Sequence, residues 1–223
     1  MSTHLTVFVK NPIPGTVKTR LQTRYTPNQA AGIYRAFILD TLETAQSIDA
    51  DCHLLAYHPQ NAENDIRDLA GSTWKLFPQS QTELGDRIYT AALHSFLQGA
   101  SRVVIIGTDI PSLPSNFITR AFDLLSENNL VLGPSTDGGY YLIGLAKPIK
   151  TIFQDIEWGT NRVFIQTLNR LEKTNNTLGL VPPWYDIDTP EDLDLLLAHT
   201  KAMDLANNLP NLHHTKTYLS SLT

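Results

Sequence analysis

A single cysteine, Cys52, stands among 223 residues, so no disulfide can form within the chain, and a reducing compartment is the expectation. No apolar run approaches the roughly 18–20 residues of a membrane-spanning helix. The opening MSTHLTVFVK lacks the basic start and long apolar stretch of a secretory signal. A cytoplasmic protein without a membrane span is therefore expected. Charge is also sparse: 17% of residues are Asp, Glu, Lys or Arg, and 17 Lys and Arg face 22 Asp and Glu, a formal net charge of −5. Such a chain has no global attraction to nucleic acid or an anionic membrane, and any anion site must be local. With no internal repeat, linker or low-complexity tract, one domain is expected over residues 1–206, followed by a short polar tail over 207–223 whose structure the sequence leaves unassigned.

What is abundant is alternation. Short β-rich runs at 5–9, 52–57, 74–77, 102–107, 130–133 and 140–145 are separated in most cases by stretches of helical period. Thr26, Pro27 and Gln29 form a capping-box start, after which Ile33, Tyr34, Phe37, Ile38 and Ala45 share one helix face. Further helices are expected at about 83–98, 115–128 and 161–173, and one follows Thr189 with Pro190 in its first turn. Runs such as VVII, apolar at every position, suit strands buried on both faces. The expected architecture is a three-layer α/β/α sandwich around a mostly parallel sheet, with ligands at the carboxyl ends of the strands.

Four segments fall at such ends. In KNPIPGTVKTRL, prolines stiffen a turn, Gly15 lets backbone approach a ligand, and Lys10, Lys18 and Arg20, with Arg24 just beyond, supply positive charge. Arg20 can grip two oxygens through its planar fork, whereas Lys18 offers a compact point charge, a combination suited to phosphate; a merely solvated basic loop is the competing interpretation. Asp109, in GTDIP directly after RVVIIG, suits a divalent ion shared with substrate phosphates, or it caps the next turn. Asp186 and Asp188 alternate with Ile187 and face one side if extended, where they could join Asp109 around Mg²⁺ or Mn²⁺, or Asp188 only favours the following helix dipole. Asp137, Gly138 and Gly139 form either a tight hairpin turn or a close backbone approach to a sugar or ribose. Gly85 and Arg87 either mark a plain helix start or offer amides and a cation to a nucleotide, and Trp158 either stacks on a sugar ring or anchors a loop. His213 and His214 lack metal-ligand spacing.

The ordered set KNPIPGTVKTRL, LGDRI, GTDIPSL, PSTDGGYYLIGL, EWGT and DIDTPEDL, spread over most of the chain, resembles the bacterial DUF2064 family of glycosyltransferase-like proteins, within the nucleotide-diphospho-sugar transferase (GT-A) superfamily. The resemblance implies a GT-A fold and a metal-dependent transferase that binds a nucleotide or nucleotide-sugar donor and a small-molecule acceptor. It implies Lys18 and Arg20 at phosphates, Asp109 with Asp188 and Asp186 at the metal, and Gly138 and Gly139 on the sugar or acceptor side. Glycosyl transfer is the activity the family label favours; nucleotidyl transfer to a phosphorylated acceptor, with release of pyrophosphate, is the alternative. Two departures bear on the choice. Sugar transferases of this fold usually carry Asp-x-Asp after the central strand, where this chain has Gly-Thr-Asp. Its basic loop resembles that of enzymes activating phospholactate-like acceptors and of molybdopterin-type nucleotidyltransferases, without their glycine-rich Gly-x-Gly-x-Arg signature.

Overall fold

In the computed structural model, residues 2–207 and 212–222 are described, so 208–211 and 223 of the expected tail lie outside them. The strands are β1 (Thr3–Lys10), β2 (Cys52–His58), β3 (Lys75–Pro78), β4 (Arg102–Ile106), β5 (Leu130–Pro134), β6 (Tyr140–Leu145) and β7 (Leu178–Leu180). They form one sheet in the order β3-β2-β1-β4-β6-β5-β7. All run parallel except β6, which is antiparallel to β4 and β5. The helices are α1 (Pro27–Gln46), α2 (Glu63–Ala70), α3 (Leu84–Leu97), α4 (Ser115–Leu124), α5 (Val163–Leu171), α6 (Pro190–Leu205) and α7 (His213–Ser220).

Strand alternation divides the interior into two layers. Val104 and Ile106 of β4 join Leu5, Val7 and Val9 of β1 in a core with residues of α1, α4 and α6. Val103 and Ile105, on the opposite face, join Leu130, Leu132, Ile143 and Leu145 against α3 and α5. The expected α/β/α sandwich therefore follows from strands apolar on both faces.

Local signals set the helix starts. Thr26 accepts from the Gln29 amide at 3.3 Å while the Gln29 side chain accepts from the Thr26 amide at 2.9 Å, the reciprocal capping box expected for α1. Thr189 and Asp192 repeat it at α6. Three elements went unforeseen: α2, the three-residue β7, and α7, which lies within the segment that reads as a polar tail. Buried Asp40 of α1 accepts from the His214 amide at 2.8 Å, the Thr215 amide at 2.9 Å and the Thr215 hydroxyl at 2.5 Å. It thus caps α7 from another helix, supplying what Leu212, the residue before α7, has no side chain to supply. Burial raises the Asp40 carboxyl above its ordinary value, opposed by these same hydrogen bonds.

Candidate functional site

The loop after β1 returns towards the sheet through a short 3₁₀ turn at Thr19–Thr23, and Lys18 precedes it in the left-handed conformation, φ 46° and ψ 44°. A non-glycine residue held there indicates that the surroundings overdetermine its position. Those surroundings are acidic. The Lys18 ammonium lies 2.5 Å from Asp109 Oδ1 and 2.8 Å from Asp188 Oδ1, and donates to the Ile187 carbonyl at 2.6 Å. Its three protons are thereby satisfied. The rings of Tyr34 and Phe37 lie 5.7 and 5.8 Å from the ammonium. Burial alone would lower the lysine pKa, but Asp109 and Asp188 outweigh it and hold the value above the ordinary one. Asp109 stands just beyond β4, and its backbone carbonyl accepts from the Ile187 amide at 2.8 Å, which joins the β4 end to the segment before α6.

The two aspartates flanking Ile187 are shifted in opposite directions. Burial raises Asp188, but Lys18 and then Arg20 more than compensate, so its carboxyl is held below the usual range. Asp186 is pushed up to about 7, first by burial and then by the charges of Asp137, Asp109 and Asp188, while a hydrogen bond from the Ser135 hydroxyl opposes the rise. Arg20 is 71% exposed and reaches only 3.6 Å from Asp188 Oδ2, so its fork is open to solution. Lys10, exposed at the end of β1, contributes to the positive potential at Asp188. Beneath them, the Tyr34 and Thr108 hydroxyls share a hydrogen bond at 2.7 Å and Tyr34 accepts from the Lys10 amide at 3.2 Å; burial and then Asp109 push the Tyr34 phenol up to about 12. A depression of about 270 Å³ opens beside the loop, lined in part by Lys10, Asn11, Val17, His58 and Pro59.

The fold thus brings Lys18, Arg20, Asp109 and Asp188 together, with Asp186 and Lys10 within electrostatic reach. The donor set is all carboxylate oxygen, which suits a hard divalent cation. Asp109 and Asp188 already bracket one positive charge, so the pair fits a cation, with the Lys18 ammonium as its present occupant.

The remaining candidates sit elsewhere along the edge. Gly15 has φ +82° and no atom near its missing Cβ, an open turn. The space a Gly85 Cβ would need is filled by the Trp158 indole, which also meets the Tyr140 ring edge-on at 6.4 Å; this pair locks the Trp158 loop onto α3. Arg87 Nε donates to the Thr82 carbonyl at 2.7 Å and braces the segment before α3. Asp137, Gly138 and Gly139 make the β5-β6 hairpin turn: Asp137 accepts from the Gly139 amide at 2.8 Å, and Gly138, at φ +89°, lies against the Asn161 backbone. Residue reading missed Ser135, Thr108, Tyr34 and the Ile187 carbonyl as parts of the site. Thr108 and Ser135 lie inside GTDIPSL and PSTDGGYYLIGL and were within its reach, whereas Tyr34 reads as core and a carbonyl has no side-chain signal. His214 Nε2 lies 3.0 Å from Glu43 Oε1, and with Asp40 these residues place one potential ligand atom each within 4.8 Å of one another. The Asp40 part of that group is engaged in capping α7.

Comparison with known proteins agrees with this architecture. A crystal structure from Desulfovibrio desulfuricans G20, provisionally assigned as a nucleotide-diphospho-sugar transferase, superposes with a TM-score of 0.87 at 29% identity, covering 99% of this chain and 98% of that one. The 4-diphosphocytidyl-2C-methyl-D-erythritol synthase of Anaerococcus prevotii superposes at 0.62 with 12% identity, covering 90% and 96%. A Mycobacterium tuberculosis protein crystallised with manganese superposes at 0.55 with 16% identity, covering 89% and 99%. The fold is that of nucleotidyl- and nucleotide-sugar transferases. In sequence, the 2-phospho-L-lactate guanylyltransferase of Methanothermobacter thermautotrophicus is 22% identical over 206 residues, 89% of this chain and 86% of that protein. The profile of a family described as uncharacterized proteins conserved in bacteria, DUF2064, matches residues 39–160, which include Asp109 and the hairpin turn but not Lys18, Arg20 or Asp188. With that match spanning more than half its length, the chain belongs to the DUF2064 family.

Proposed function

We propose that this chain is a nucleotidyltransferase that moves a nucleoside monophosphate from a nucleoside triphosphate to an anionic oxygen of a small phosphorylated acid, releasing pyrophosphate. The observation that carries the reading is the Lys18–Asp109–Asp188 cluster at the joined ends of β1 and β4, flanked by the open cations Arg20 and Lys10. Three cations, Lys18, Arg20 and Lys10, gathered around Asp109 and Asp188 suit a polyphosphate chain better than a diphosphate sugar, and the usual Asp-x-Asp pair is missing. The guanylyltransferase of M. thermautotrophicus supports the same reading.

In the reaction, an acceptor phosphate oxygen attacks the α-phosphorus. A new phosphorus–oxygen bond forms, the bond to the β-bridging oxygen breaks, and its electron pair leaves with pyrophosphate. No general base is needed, because the attacking oxygen is already ionised. Lys18 and Arg20 offset the charge on the reacting and departing phosphates. The depression beside Lys10, Asn11 and His58 receives the nucleoside. Asp109 and Asp188 would hold a Mg²⁺ or Mn²⁺ ion that adds charge neutralisation at the phosphate oxygens; Asp186, engaged by the Ser135 hydroxyl, does not join them in a three-ligand group.

Glycosyl transfer from a nucleoside diphosphate sugar is the second reading, favoured by the likeness to the D. desulfuricans protein. Melting curves with a panel of nucleoside triphosphates and diphosphate sugars, each with and without divalent ion, separate the two. A true donor at 100 times its dissociation constant adds about 2.7 kcal/mol of stability. Stabilisation by one triphosphate over every diphosphate sugar is expected; the reverse order would move the assignment to glycosyl transfer.

A further inference from the structure

Lys18 is held more completely than a phosphate-binding lysine awaiting its ligand needs to be. All its protons are engaged, at 2.5 Å by Asp109, 2.8 Å by Asp188 and 2.6 Å by the Ile187 carbonyl. Its side chain is only 3% exposed, whereas those of Asp109 and Asp188 are 49% and 37% exposed. Each carboxylate therefore meets the ammonium on its inner side and water on its outer side. A divalent cation approaching from solution meets two carboxylates already neutralised in part by a buried positive charge, which repels it. Arg20, 3.6 Å from the outer oxygen of Asp188, adds to that barrier. Polyphosphate removes it, because anionic oxygens can accept from Lys18 and Arg20 and release the carboxylates. The Tyr34 and Phe37 ring faces, 5.7 and 5.8 Å away, keep one side of the ammonium in place.

We infer that Lys18 is a resident counter-ion of Asp109 and Asp188 that competes with the divalent cation, and that it leaves the two carboxylates when phosphates are present to receive it. The inference rests on the nucleotide-transfer reading and adds to it a coupling: metal alone binds weakly, and metal and nucleotide enter as a pair. Coupling of this kind is reciprocal, so each raises the affinity for the other by the same factor.

The test is Mn²⁺ binding without nucleotide, followed by the electron paramagnetic resonance signal of the free ion, for the wild type, Lys18→Met and Asp109→Asn. Methionine keeps an apolar stem and removes the charge. Lys18→Met is expected to bind Mn²⁺ at least about fivefold more tightly than the wild type, the lower end of usual coupling factors, and Asp109→Asn more weakly than Lys18→Met. Equal affinity in wild type and Lys18→Met, including no binding by either, overturns the inference. Should Lys18→Met fail to fold, reductive methylation of the wild type read by mass spectrometry replaces it. Lys18 is expected to be protected alone and to react several-fold faster once Mn²⁺, raised until the free-ion signal shows the site filled, has taken the two carboxylates; unchanged protection at that occupancy, or a site that never fills while Lys18 stays protected in the presence of triphosphate and Mn²⁺ together, overturns the exchange. The nucleotide melting panel, run on the same wild-type sample, keeps the two ideas apart. A Lys18 effect without nucleotide binding removes the transfer reaction, whereas nucleotide binding without a Lys18 effect removes only the exchange.

Discussion

Replacing Asp186 with asparagine perturbs the site at one oxygen-bearing side chain while keeping its shape. In the folded protein the Asp186 carboxyl is pushed from 3.8 to about 7, by burial first and by Asp137, Asp109 and Asp188 after it. The folded state therefore holds a proton that the unfolded chain has lost across that interval. The stability linked to this proton is fully present below pH 3.8 and is lost as pH rises through about 7. A shift of this size corresponds to about 4 kcal/mol as an upper bound, and the half-buried position reduces it to roughly 2–4 kcal/mol. Asparagine is neutral at every pH and its amide oxygen can still accept from the Ser135 hydroxyl. Asp186→Asn should thus be about as stable as the wild type near pH 4 and about 2–4 kcal/mol more stable at pH 8, or roughly 4–16 °C in melting temperature. Urea denaturation at pH steps from 4 to 8, with chelator present to keep divalent ions out, measures the difference directly. A gap that does not change with pH, or a variant less stable than the wild type at pH 8, would refute the burial argument.

Other substitutions probe different parts of the structure. Asp40→Ala removes the cap of α7 and leaves buried amides without an acceptor, a loss of about 1–3 kcal/mol, and limited proteolysis should then cut at the last helix first. Gly85→Ala places a methyl group where the Trp158 indole lies, so about 1–3 kcal/mol of stability should be lost with a change in tryptophan fluorescence; an unchanged melting point would mean that the Trp158 loop yields freely. Arg20→Ala should weaken triphosphate binding about tenfold or more in a calorimetric titration while leaving the melting temperature nearly unchanged, because the side chain is 71% exposed and its ion pair is long.

Much of the fold is legible because its signals are local. The capping boxes at Thr26 and Thr189 need only neighbouring residues, and the apolar run at 103–106 announces a strand buried on both faces. The antiparallel direction of β6 has a local signal too, since Asp137-Gly138 is a hairpin pair, although the same glycines equally suit a sugar contact. β7 is three residues long, too short for any period to show. α7 depends on Asp40, 174 and 175 positions before the residues it caps, a dependence that no local window contains. The site shows the same division. Lys18, Asp109 and Asp188 stand out separately as cation and carboxylates at strand ends, yet their mutual pairing spans 170 positions between Lys18 and Asp188 and exists only once the loop after β1 turns inward.

The most direct measurement of the proposed chemistry is ³¹P nuclear magnetic resonance of the wild-type protein with each nucleoside triphosphate, Mg²⁺ and a set of small phosphorylated acids, beside parallel samples holding diphosphate sugars. Pyrophosphate appearing together with a new nucleotide–acceptor linkage, in one triphosphate sample and lost in Arg20→Ala, is the expected result. Release of a nucleoside diphosphate from a sugar donor, with every triphosphate left intact, would contradict nucleotidyl transfer.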